Sequence, residues 1–360
     1  MLTADTATLR GFADALRGLA RDSAGDHCEG LGPADLYTRT FVRFDDELPF
    51  ALYSMAESKT HENSEAIQNF FRRQRTVLEA CAQEVDETSA AYAATDRTAG
   101  GLFGALGAPA HAGELVPWSR AVYTLPPPPL SALIAPRAAS GHDYVAEILT
   151  TDWFSPTSTL RTVMNWVLDY DPLAEVSKIF SGDWDLALVC AEALPSLGEF
   201  EKELAASVST AMSQLLDGWT GDAAHEAASY FAELVNRMEA NGERIVGLAS
   251  GYEMLAMAIQ SNAKLVGAAF EALIDQLIAA ALFYALGLLT SETIVGGIVG
   301  GLGGSVTLLY AVELAETAWS ALQTAWVAVD AAVAAIGVIE SFMNSVGELP
   351  LPAAYDSGQP

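Results

Sequence analysis

What this chain lacks narrows its chemistry first. Its 360 residues include three cysteines, Cys28, Cys81 and Cys190, and no CxxC. A thiolate zinc site or redox pair has no sequence support, and so sparse and odd a set does not describe a disulfide scaffold. The five histidines never fall at i, i+4, and no HExxH, phosphate-loop, GxGxxG or GxSxG pattern occurs. The expectation is a protein that is not an enzyme and has no metal site and no cofactor. Positive charge is also scarce: 18 Lys+Arg face 46 Asp+Glu, a net charge of −28. That balance argues against nucleic acid as a partner and against lipid binding driven by charge. A Sec-type signal is not expected either. Arg10, Asp14, Arg17, Arg21 and Asp22 interrupt every apolar stretch near the N-terminus, where such a signal needs a continuous apolar core.

What is present is helical periodicity. Hydrophobic residues make up 51% of the chain, too many for an acidic disordered tail. Leu9, Phe12, Ala13, Leu16 and Leu19 put one apolar face on a helix over 6–21. A short helix is expected within 34–57. A long one is expected over 59–97, with a seam through Ile67, Phe70/Phe71, Gln74, Leu78, Cys81, Val85, Thr88 and Tyr92. Arg72, Arg73 and Arg75 on that helix read as a solvated basic face. Two further long helices, over 183–216 and from 223 onward, are joined by Asp217–Gly218–Trp219–Thr220–Gly221–Asp222. That pattern describes an antiparallel helical hairpin.

The fold class read from these patterns is all-α: long antiparallel hairpins forming an elongated bundle, with no sheet. The expected organisation is a helical module at 1–97, a Gly/Pro-rich linker at 98–143, a hairpin at 144–264, an apolar glycine-rich helical segment at 265–347 and a loose tail at 348–360. After Lys264 the chain has no Lys or Arg, and Thr293–Val312 is uncharged. Within it Gly296, Gly300 and Gly304 recur at the spacing that lets helix backbones approach closely, as in membrane helix packing. Two readings stay open for this stretch: a packed hairpin turning at the glycines, or membrane insertion, since twenty apolar residues are about the minimum span of a bilayer.

Two short motifs are candidates for recognition. In Trp219–Thr220–Gly221 the glycine tolerates unusual backbone angles at a tight turn. The indole either stands out as a partner anchor or folds back on its own hairpin. In Tyr92–Ala93–Ala94–Thr95–Asp96, residues four apart share a helix face and display a ring beside a carboxylate. This pair is expected at the last turn of its helix.

Together the motifs resemble those of the ESX, or type VII, secretion substrates of actinobacteria, in which WxG turns and a YxxxD/E signal sit on helical hairpins. The order, YxxxD in the first module and WxG in the second, resembles the single-chain EspB-like arrangement, similar to a fused PE–PPE pair. Asp217–Ala224 also resembles the WxG-type N-terminal domains of actinobacterial polymorphic toxins. The resemblance covers about 1–97 and 150–265. It implies export of a folded chain without a Sec signal, from the cytoplasm to the cell envelope or beyond. Tyr92 and Asp96 would form the secretion signal, and Trp219 and Gly221 the partner-binding turn. The implied partners are a type VII secretion ATPase and a dedicated chaperone, with homo-oligomer or membrane contact through the glycine-rich third. An alternative is a trafficking, translocation or pore-forming module of a toxin without its catalytic domain. No YxxxD follows the WxG hairpin, since Ala256 stands four residues after Tyr252, so the signal would rest on Tyr92 and Asp96 alone.

Overall fold

The computed structural model describes residues 3–24, 32–44, 51–105, 123–126, 129–137, 182–290 and 351–356, with 313, 316, 319, 320, 323, 326, 327, 330–339 and 341. The elements in chain order are β1 (Thr3–Ala4), α1 (Thr6–Ser23), α2 (Pro33–Phe41), α3 (Ala51–Ala105), a 3-10 turn (Pro129–Ala132), α4 (Asp185–Gly218), β2 (Trp219–Thr220) and α5 (Asp222–Thr290). Residues 330–339 are helical as well. The described residues are overwhelmingly α-helical.

Four helices share one core. α1 begins at Asp5, whose carboxylate accepts a hydrogen bond from Ala7 N–H and satisfies one of the open donors of the first turn. It lies antiparallel to α3: Thr6 O accepts from Ser89 Oγ at one end, and Ala24 O accepts from Arg75 Nη1 at the other. α4 and α5 meet most extensively of all. They cross where Gly198 faces Gly242, at equal distances in sequence from Thr220, as antiparallel helices require. The seam expected on α3 is the seam observed. Ile67, Phe70, Phe71, Gln74, Leu78, Cys81, Val85 and Thr88 are all buried, and Phe71 meets Phe200 of α4 edge to face at 5.9 Å. On α1, Phe12 stacks edge to face on Phe231 of α5 at 4.9 Å. These contacts bury the apolar stripe of each helix against the other three.

A polar layer crosses this core. Asn63 Nδ2 donates to Tyr252 Oη at 2.8 Å, and Tyr252 Oη donates to Thr60 Oγ1 at 3.1 Å. Farther along, Gln74 Nε2 donates to the fully buried Glu201 at 3.0 Å. Such groups pin α3 in register against α4 and α5, because a slide of one turn would leave them unpaired in a dry interior.

The Gly198–Gly242 crossing offers a direct check on the packing. A Cβ at Gly242 would stand 2.7 Å from the Gly198 carbonyl oxygen, which is backbone and cannot swing away. Gly242→Ala is expected to destabilise the protein by about 1–3 kcal/mol through forced separation of the helices. Urea unfolding would measure it. An alanine tolerated without loss would mean that the two helices are not in backbone contact there.

Several expectations need correction. Among the described residues there is one small sheet: Thr3 pairs antiparallel with Thr220, and Ala4 with Trp219. α3 starts earlier and ends later than 59–97, running from Ala51 through Gly100, Gly101 and Gly104 to Ala105. Glycine costs helix only about 1 kcal/mol per residue, too little to stop it. The linker expected at 98–143 therefore begins as helix, and its described later parts are bound to the bundle. Tyr123 Oη donates to Ala211 O at 3.2 Å, Thr124 N–H to Gln214 Oε1 at 2.9 Å, and Arg137 N–H to Glu192 Oε2 at 2.9 Å. The boundary set at 264–265 is interior to α5, which continues to Thr290. The tail expected to be loose is seated at 351–356, with Tyr355 buried. The arginines of α3 are only partly a solvated face. Arg73 is exposed, but Arg75 reaches the C-terminal end of α1, and Arg72 lies 3.7 Å from the buried Asp35. Leu188, Trp319 and Trp326 are exposed despite their apolar side chains.

Gly296, Gly300 and Gly304, and the part of the expected 144–264 hairpin up to residue 181, lie outside the described residues. Among the described residues no helix is long and apolar enough to cross a membrane.

Candidate functional site

The two motifs meet at one end of the bundle. α3 runs parallel to α4, so residues late in α3 reach the level of the α4–α5 turn. There Trp219 Nε1 donates to Tyr92 Oη at 3.4 Å, a long hydrogen bond between residues 127 positions apart.

The turn is built from backbone requirements. Gly221 has φ +119, a region that a side chain disfavours, and its carbonyl receives His225 N–H at 3.1 Å to start α5. One step earlier, Asp5 N–H donates to Gly218 O at 2.9 Å. With the β1–β2 pairing, the N-terminal segment therefore closes over the turn. Thr3 and Ala4 had no sequence signal for this role. Two residues are too short for a periodicity, and their partners lie more than 200 positions away.

The indole does not stand out from the tip. Trp219 is 1% exposed, so of the two placements open for the ring it takes the folded-back one. The ring folds back into the core, where burial of its large apolar surface outweighs what a solvent-facing position could offer. What the tip presents instead is Thr220, Gly221, Asp217 and Asp222, all exposed. Tyr92 is half-buried against the core, and Asp96, one turn on, is exposed. The pair is not at the last turn of its helix, because α3 continues to Ala105. It occupies the flank of the helix as it passes the turn.

The neighbouring surface was not foreseen from sequence. Tyr230 and Phe231 of α5 and Cys81 of α3 receive residues 351–356: Tyr230 Oη donates to Ala353 O at 2.8 Å, and Tyr355 N–H meets Cys81 Sγ at 3.4 Å. Burial pushes the Tyr355 phenol up to about 12, with the nearby carboxylates of Glu226, Glu84 and Asp356 adding to it. Cys81 and Cys190 are both free and buried thiols, raised in pKa by desolvation.

Chemically this end of the molecule offers shape and carboxylates. Among the described residues no group of three or more His, Cys, Asp or Glu could hold a metal ion. Comparison with family models, curated proteins and solved structures found no match.

Proposed function

We propose that this chain is a substrate of a type VII secretion system, exported folded through a composite WxG/YxxxD label and acting by protein or membrane contact at the cell envelope. One observation supports the reading best: the Trp219–Tyr92 hydrogen bond joins two motifs from separate modules into one end of the bundle. A label made of two distant segments exists only when the chain is folded, which suits a transport machine that reads folded helices. In this reading Asp96 is the exposed acid presented to a secretion ATPase. Tyr92 and Trp219 position the helix that carries it, and Gly221 shapes the adjoining turn. A chaperone would engage the same tip. The function is recognition and not catalysis.

The contact function falls to the C-terminal part. Trp319, Trp326 and Val333 recur every seven residues and are 59%, 56% and 40% exposed. Such a spacing aligns them near one helix face, suited to self-association or to a membrane surface. This observation also favours the second reading, a delivery or pore-forming module of a toxin. Leakage of neutral-lipid vesicles that is lost in a Trp319→Ser, Trp326→Ser variant would favour it over the first.

The test of the export reading is Asp96→Ala. Asp96 is exposed and removes no core contact, so the variant is expected to keep its helicity and thermal stability. Its extracellular amount should drop to the level of cells without a working type VII ATPase. Normal secretion of both Asp96→Ala and Tyr92→Ala would end the assignment.

A further inference from the structure

The residues Leu351–Asp356 form no helix or strand of their own, yet they are held closely. Tyr355 is 6% exposed. Its ring lies 5.5 Å from Tyr230 and 6.0 Å from Phe231, and Leu351 and Ala354 pack against the same core. Two hydrogen bonds that fix the segment use its backbone: Tyr230 Oη to Ala353 O, and Tyr355 N–H to Cys81 Sγ. Backbone hydrogen bonds with one deeply seated aromatic anchor are how proteins bind short peptides. The Tyr355 hydroxyl is buried without a hydrogen-bond partner, so the ring supplies the recognition and the hydroxyl does not.

We propose that Cys81, Tyr230 and Phe231 form a peptide-acceptor seat on the α3–α5 face, filled here by the chain's own C-terminal segment and able to take the same segment from a second copy. The connection permits both. Residues 330–339 are helical and dock on the bundle, with Ile339 against Gly251 of α5, so residues 340–350 alone set the reach of the segment, at most about 40 Å fully extended against a helix width of about 10–12 Å. The covalent link therefore does not dictate which copy fills the seat, and exchange of an identical element is a low-cost route to self-association. A short covalent link holds the segment at an effective concentration of about millimolar, so the internal segment wins unless its anchor is weakened. This inference is independent of the secretion reading.

Cys81 provides the readout, since its sulfur lies beneath the segment. The experiment is alkylation of the full-length protein by iodoacetamide, with each cysteine followed separately by mass spectrometry. In the wild-type chain Cys81 is expected to be protected. Tyr355→Ala should raise its labelling rate at least tenfold, because a raised and covered thiol becomes an accessible one with a lower pKa. Tyr355→Phe should protect as well as tyrosine does. A synthetic peptide of residues 349–360, added at millimolar concentration to Tyr355→Ala, should restore protection, and the same peptide carrying alanine for Tyr355 should not. Cys190, fully buried elsewhere in the bundle, should stay unlabelled throughout. Unchanged Cys81 protection in Tyr355→Ala would overturn the seat. Exposure that the peptide fails to reverse would overturn acceptance from a second copy. Simultaneous labelling of Cys190 would show general opening of the bundle and overturn a local seat.

Discussion

Replacing Glu201 by glutamine is expected to stabilise the protein at neutral pH, raising its urea midpoint, and to change little at pH 4. Glu201 is fully buried on α4, and desolvation raises its carboxyl well above the ordinary value of 4.5, opposed only by the hydrogen bond from Gln74. The sign follows from proton uptake. Between the unfolded and the folded pKa the native state holds a proton that the unfolded chain has released. Stability from this group is therefore complete below about 4.5 and declines as pH rises toward the folded pKa. The hydrogen bonds agree. Glu201 Oε1 and Gln74 Oε1 are both buried acceptors without a partner. Protonated Glu201 can supply a donor to this pair, and so can the amide of a glutamine at 201, at every pH. Urea unfolding of both proteins at pH 4 and pH 7.5 checks this. Equal stability of the two at pH 7.5 would show that Glu201 meets no desolvation penalty.

The second large effect is at Trp219. Trp219→Ala is expected to cost about 3–5 kcal/mol, the range for removing a large aromatic from a packed core. It also takes the donor from Tyr92 Oη. Trp219→Phe should cost much less, since it keeps most of the apolar area and loses one long hydrogen bond. A turn tryptophan that served only as an exposed anchor would tolerate alanine within about 0.5 kcal/mol. Denaturant midpoints of the two variants distinguish these cases. They also bear on export: a Trp219→Phe protein that folds normally but is not secreted would place the indole itself in the label.

Glu201 and Trp219 also show why some features are legible in a sequence and others are not. The all-α class and the helix faces could be read because they are local. Steps of three and four in Ile67, Phe70, Phe71, Gln74, Leu78, Cys81 and Val85 put these residues on one side of any helix they form, and a side that apolar must be covered. The same pattern marked Gln74 as a seam position. It could not say that the seam would set Gln74 against Glu201, because that pairing depends on how α3 is rotated and shifted relative to α4. Helix ends were read less well. Gly100, Gly101 and Gly104 look like a stop, but continuing a long, already nucleated helix costs less than nucleating a new one.

Composition and periodicity by themselves determined the acidic, helical character of this protein, the faces its helices bury and the glycine that its turn at Gly221 requires, since each depends on residues within a few positions of one another. Only the tertiary structure decided that Trp219 lies inside, that it meets Tyr92, that Thr3 and Ala4 close over the turn and that Tyr355 sits above Cys81. Those contacts join residues far apart in the chain. They are selected by the packing of four helices around one core, where each ring and each polar atom must find space or a partner.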